Sequence, residues 1–218
     1  NGGIDFLYGD AGNDVLLGGT AGDAELFGGD GDDVILGDNG TITLNGSLIV
    51  LTVRSESDDS NGGDDSDIRG NDGNDVVAGG WGDDTISGND GDDILFGDAA
   101  EVNINEAGTN LIFSIDPNVG GVDVIHGNAD DDIIVGGPDG DKLSGDDGAD
   151  IVIGDNGTVT RNASKVLDVF EYTITSAGST APEHGGDDVI DANDSAGSVE
   201  STGADRLIGG VGNDTIAG

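Results

Sequence analysis

From Gly70 to Gly97 the chain reads GNDGNDVVAGGWGDDTISGNDGDDILFG, three consecutive nine-residue units that begin at Gly70, Gly79 and Gly88. Each is close to G-G-x-G-x-D-x-U-x, where U is a large aliphatic. Glycine, aspartate and aliphatic recur in phase, and a nonapeptide period of this form belongs to a parallel β-helix whose turns bind calcium. The glycines tolerate the backbone angles of a tight turn, and the aspartate brings charge to it.

The same unit can be followed through most of the sequence. Asp5 occupies the aspartate position of a unit ending at Tyr8, Asp14 that of Gly9 to Leu17, and Asp33 that of Gly28 to Leu36. The segment from Gly18 to Phe27 is ten residues long and puts Ala24 where aspartate belongs, so a weak or rebuilt calcium site is expected there. Asp205 is the recognisable aspartate of the irregular stretch from Ala192 to Ile208, and Gly209 to Ala217 is a clean unit with Asp214. Three times, at Gly37, Gly97 and Gly154, the repeat gives way to alternating apolar and polar residues such as TITLNGSLIVLTVRS, a pattern of β-hairpins with tight turns. The chain therefore reads as one elongated domain, residues 1–218, with hairpin insertions at about 41–61, 99–118 and 158–183.

These motifs resemble the RTX, or hemolysin-type, calcium-binding family, which implies an all-β fold: a parallel β-roll, or β-helix solenoid, in which two nonapeptides make one coil. The U residues Leu16, Ile35, Val77, Ile86, Leu95, Ile134, Leu143, Val152 and Ile216 are expected to point inward. Their flanking residues point outward and alternate in character. Val15, Leu17, Val34, Leu36, Ile94, Phe96, Ile133, Val135, Ile151 and Ile153 make one sheet greasy outside, whereas Thr85, Ser87, Lys142 and Ser144 make the other wet. Alternation survives each insertion only if a hairpin is extruded from a single half-coil. Hairpins leaving every second coil match a rise of about 9.5 Å, twice the strand separation of about 4.8 Å. They could thus align into a third sheet over the apolar face, burying Ile42, Leu44, Leu48, Val50, Phe113, Phe170, Tyr172 and Ile174. The rival reading leaves that face open to another chain.

The resemblance implies that each ion sits between stacked turns one coil apart. It places Asp14, Asp33, Asp75, Asp93, Asp132, Asp150 and Asp205 on one edge, and Asp5, Asp65, Asp84, Asp123, Asp141, Asp188 and Asp214 on the other. Asp65 lies in GGDDSDIRG, one residue too long, which leaves its register open. Six gaps on each edge give up to about a dozen calcium ions. The aspartates one position earlier, Asp32, Asp83, Asp92 and Asp131, are expected to sit behind the ligands or face solvent.

Composition agrees with a cation-dependent fold. Forty-six acidic residues against six basic ones leave a formal charge of −40, which repels the compact state unless cations bind. Hard oxygen ligands with no cysteine and two histidines suit calcium. The acidity disfavours nucleic acid and anionic membranes, and no apolar run is long enough to insert in a bilayer. No H-E-x-x-H or G-x-S-x-G motif is present, and no catalytic residue or further cofactor is expected. The expectation is a secreted, calcium-binding structural protein, part of an extracellular fibre, surface layer or long adhesin, with other copies of itself or flanking repeats as partners. Gly218 followed by Asn1 to Tyr8 would complete a nonapeptide, in register for head-to-tail continuation. The alternative is a calcium-folding, secretion-associated module of an exported enzyme or toxin. Either way the resemblance implies a bacterial extracellular or cell-surface location reached by type I secretion.

Overall fold

The computed structural model describes residues 3–45, 50–56, 62–104, 108–166, 169–181, 184–191 and 205–217. Among these, 21 strands and no helix are found.

One parallel sheet, the first, stacks eight strands: β1 (Phe6–Ala11), β3 (Glu25–Asp30), β7 (Ile68–Asp72), β9 (Thr85–Asp90), β13 (Val124–Ala129), β15 (Lys142–Asp147), β19 (Val189–Asp191) and β21 (Thr215–Ala217). The second stacks seven: β2 (Val15–Leu17), β4 (Val34–Leu36), β8 (Val76–Gly80), β10 (Ile94–Asp98), β14 (Ile133–Val135), β16 (Ile151–Ile153) and β20 (Arg206–Ile208). The chain alternates between them, so every nonapeptide supplies one rung and one turn. U residues pair with U residues all along each sheet, for example Leu16 with Ile35, Ile35 with Val77, Val77 with Leu95 and Leu95 with Ile134. Together with Leu26, Ile68, Ile86, Ile125, Leu143, Val152 and Ile190 they fill the interior of the roll, one side chain per strand. Ile216 departs from the expectation: it is 48% exposed, because β21 is the outermost rung and only β19 packs beside it.

The third sheet is antiparallel and is built from the hairpins: β5 (Gly40–Leu44), β6 (Val50–Ser55), β11 (Ala100–Asn103), β12 (Gly108–Ser114), β17 (Gly157–Val166) and β18 (Val169–Ser179). Successive hairpins zip together, β6 with β11 and β12 with β17. One line of paired residues, Ile42, Val53, Val102, Ile112, Val159 and Ala177, crosses all six strands. It packs on Val34, Leu36, Val76, Ala78, Ile94, Phe96, Ile133, Val135, Ile151 and Ile153 of the second sheet, forming a second core outside the roll. The apolar face is therefore covered by the chain's own hairpins. Its first rung is the exception, since Val15 and Leu17 on β2 stay 44% and 41% exposed.

The buried hairpin residues differ in part from those expected. Ile42, Val50 and Ile174 pack against this core, but Leu44 is exposed beside the register shift between Thr43 and Leu44. Phe113 is only half-buried, since its neighbour Ile112 takes the inward face. Leu48, and the side chains of Phe170 and Tyr172, fall outside the described residues.

The outer face of the first sheet is also less wet than its serines and threonines suggest. Phe6 and Tyr8 are exposed there; Tyr8 meets Phe27 edge-on at 5.5 Å and donates its hydroxyl to Glu25, while the Arg69 guanidinium lies 5.0 Å over Phe27.

Candidate metal centres at the turns

Most of the uninterrupted turns are set by two left-handed positions, the second and fourth of the nonapeptide. Glycine fills most fourth positions, for instance Gly31, Gly73 and Gly91, while asparagine or aspartate often fills the second, as at Asp10, Asn71, Asn89, Asn128 and Asp146, all with positive φ. These two residue types tolerate that region best after glycine. At Gly73 and Gly91 the requirement for glycine is also spatial: a Cβ there would strike the carbonyl oxygen of Gly31 or Gly73 in the preceding coil.

This backbone places the sixth-position aspartates directly above one another. Oδ1 of each accepts the main-chain N–H of the equivalent aspartate one coil earlier. On one edge the links run Asp14 to Asp33 (2.7 Å), Asp33 to Asp75 (2.7 Å), Asp75 to Asp93 (2.8 Å), Asp93 to Asp132 (2.9 Å), Asp132 to Asp150 (2.9 Å) and Asp150 to Asp205 (3.1 Å). On the other they run from Asp5 through Asp23, Asp65, Asp84, Asp123, Asp141 and Asp188 to Asp214, at 2.6 to 3.2 Å. All fourteen aspartates expected from the repeat stand in these two ladders.

A fifteenth, Asp23, is hidden by spacing: the unit with Ala24 at the counted position, where a weak or rebuilt site is expected, takes its ladder aspartate from Asp23 instead. The extra residue of that unit lies between the aspartate and the aliphatic, not before the aspartate. Asp65 and Ile68 enclose the same extra residue, and the two irregular coils stack: Leu26 pairs with Ile68, Ser66 N–H donates to Asp23 O and Leu26 N–H to Asp67 O. Each bulge accommodates the other, so both aspartates stay in line.

A second ladder runs outside the first. Asn13, Asp32, Asn74, Asp92 and Asp131 accept main-chain N–H groups one coil on, and Asp64, Asp83 and Asp187 do so on the other edge. These contacts are at the exposed rim.

The inner carboxylates leave one oxygen over. Oδ2 of Asp14, Asp23, Asp33, Asp65, Asp75, Asp84, Asp93, Asp123, Asp132, Asp141, Asp150 and Asp188 is buried with no hydrogen-bond donor. In turn after turn this oxygen and the carbonyl oxygen of the next coil's first glycine flank one spot, the place a Cβ on the unit's own first glycine would occupy; for Gly88 the neighbours are Asp93 Oδ2 and Gly127 O. Acceptors brought together without a proton donor suit a hard cation. Among the described residues no group of three His, Cys, Asp or Glu side chains could hold a metal. An ion at these turns would thus take much of its coordination from main-chain carbonyls, with the ladder aspartates adding charge.

Burial sets the electrostatics. Loss of water is the largest cause raising the carboxyls of Asp65, Asp75, Asp123, Asp150 and Asp188 to about 7, Asp93 to about 8, Asp132 to about 9 and Asp141 to about 10, with neighbouring carboxylates adding to it. Asp84 is likewise raised well above the usual range. The donated N–H groups oppose the rise without cancelling it.

A further set of buried aspartates was not singled out from the sequence. Asp38, Asp98 and Asp155 stand at the second position of the units from which the hairpins leave, and none has the positive φ usual there. The chain is redirected outward at that point, and each carboxylate holds main-chain N–H groups of the turns it faces. Their signal was the recurrent Gly-Asp at Gly37, Gly97 and Gly154.

The two histidines do not join these centres. His126 pairs with Asp146 at 3.4 Å, and the His184 N–H donates to Ala181 O. Trp81 is an exposed turn residue whose N–H reaches Asp38.

The model of the RTX calcium-binding nonapeptide repeat, four copies long, matches residues 1–23, 19–46, 69–100, 120–143, 126–160 and 201–218, more than half of the chain. The unmatched stretches contain most of the hairpin strands. No curated protein matches the chain.

Proposed function

The chain belongs to the RTX calcium-binding nonapeptide repeat family, and from that premise we propose that it is a secreted structural element. In this reading it is a calcium-stiffened segment of an extracellular fibre, surface layer or long adhesin, joined end to end with copies of itself or with further repeats. RTX repeats are a calcium-binding module typical of secreted bacterial proteins, and no helix among the described residues is long and apolar enough to cross a membrane.

The observation that carries the proposal is the continuity of the two aspartate ladders. Six links on one edge and seven on the other pass beneath all three hairpins without a break. Eight rungs at about 4.8 Å make a rod about 34 Å long. One ion per link would bring thirteen calcium ions, offsetting a large part of the formal charge of −40.

The experiment is a calcium titration followed by circular dichroism and by sedimentation. The expected course is a cooperative gain of β structure with calcium, then concentration-dependent association of the loaded rods. Folded β structure in excess chelator would sink the calcium role. Loaded rods that stay monomeric at every concentration, with a catalytic sequence adjoining these residues in the parent gene, would favour a secretion module of an exported enzyme or toxin instead.

A further inference from the structure

The three aspartates at the hairpin roots share a sequence context but not a set of partners. Asp155 is fully engaged: Oδ1 accepts the Gly186 N–H at 3.1 Å and Oδ2 accepts the Val211 N–H. Oδ2 of Asp38 accepts the Trp81 N–H at 2.6 Å. Trp81 and Val211 are equivalent residues, each the third of the nonapeptide stacked on the root turn. At the middle hairpin that place is taken by Pro138, which has no N–H to give.

Asp98 consequently receives the Gly121 N–H on Oδ1 at 3.0 Å, while its Oδ2 is buried without a partner in a residue only 3% exposed. The surroundings deepen the need for positive charge. Asp84, Asp123 and Asp141 all act on Asp98, and each has its own buried Oδ2 with no donor. The three ion pairs found among the described residues, Arg54 with Glu101, Arg69 with Asp67 and His126 with Asp146, lie elsewhere. Gly120 and Gly137 admit the carboxylate to this position, since a Cβ on either would collide with it. An unpaired carboxylate oxygen so enclosed is costly unless a counter-charge joins it.

We propose that Asp98 ligates a hard divalent cation of the calcium class beneath the middle hairpin, at a site that the root of the third hairpin, with both Asp155 oxygens engaged, lacks. The inference rests on the calcium reading of the turns and assigns one more ligand to it. Pro138 specifies the site by withholding the main-chain N–H that Val211 gives to Asp155, and Asp123 and Asp141 supply neighbouring charge.

Counting calcium on the full chain by native mass spectrometry, after loading with calcium chloride and removal of free ion, tests this. Asp98→Asn is expected to carry one ion fewer than the unmodified chain, and Asp155→Asn the same number. An unchanged count in Asp98→Asn, as when Oδ2 merely holds a proton, or an equal loss in Asp155→Asn, would overturn the proposal. Should Asp98→Asn not fold in calcium, Pro138→Ala carries the test by restoring a main-chain donor. One ion fewer there supports the site, and an unchanged count refutes it. An unmodified chain that binds no calcium would instead remove the reading of the turns, and this site with it.

Discussion

The aspartates along the middle of the ladders divide their carboxylates between two tasks. In Asp93, as in most of the ladder, Oδ1 fixes the rise from coil to coil by accepting an N–H, and Oδ2 is held without a donor at the turn. Asp93→Ala loses both, stranding the Asp75 N–H as well as removing charge, whereas Asp92 accepts only at the exposed rim. A stranded buried donor costs about 1–3 kcal/mol, so Asp93→Ala should raise the calcium concentration at half-folding measurably. Asp92→Ala should move it much less; equal shifts in calcium titrations of the two variants would contradict this division. The raised carboxyls also fix the sign of the pH response. Burial lifts Asp132 to about 9 and Asp141 to about 10, above the ordinary value of 3.8. Their protonated forms therefore favour the fold, fully below pH about 3.8, and that contribution is lost as pH rises through about 7 to 10. In chelator, circular dichroism should show more β structure at pH 5 than at pH 9. Calcium, competing with those protons, should bind more tightly at the higher pH.

At the scale of the element, a nonapeptide cannot bury its aliphatic alone, and a hairpin cannot stand without a surface beneath it. The structure solves both by stacking: one interior aliphatic per strand inside the roll, and one line of hairpin aliphatics against the outside of the second sheet. Ile112 lies in the middle of that line, fully buried. Ile112→Ala should cost about 2–4 kcal/mol, seen as a lower melting temperature in saturating calcium and increased binding of a hydrophobic dye as Phe96 and its neighbours become accessible. At the turns, Gly88→Ala should act like loss of a ligand, because the new Cβ would displace Asp93 Oδ2 and Gly127 O from their common spot; a calcium titration unchanged by that substitution would count against the turn as an ion site. Strands, turns and hairpin positions were readable because the period is strict. Asp23 was not, since counting nine residues assumes that an extra residue falls outside the turn, whereas here it falls after the aspartate and is matched by the same bulge near Asp65.

For the whole molecule, a formal charge of −40 on a rod with two narrow cores repels the compact state unless cations bind. Removing calcium at neutral pH should expand it, and small-angle scattering with and without chelator should report a radius of gyration rising from that of a compact rod toward that of an unfolded chain. The amino-acid order by itself determined the period, the two-sheet roll, the inward aliphatics and the fourteen aspartates, because a repeat of nine residues fixes which side chain meets which from one coil to the next. Only the tertiary structure decided that the hairpins fuse over the apolar face, that Asp23 completes its edge, and that Asp98 faces a proline where its counterparts face an N–H. Those outcomes depend on contacts between residues 18 to 56 positions apart across stacked coils, and no local pattern reports what lies on the next rung.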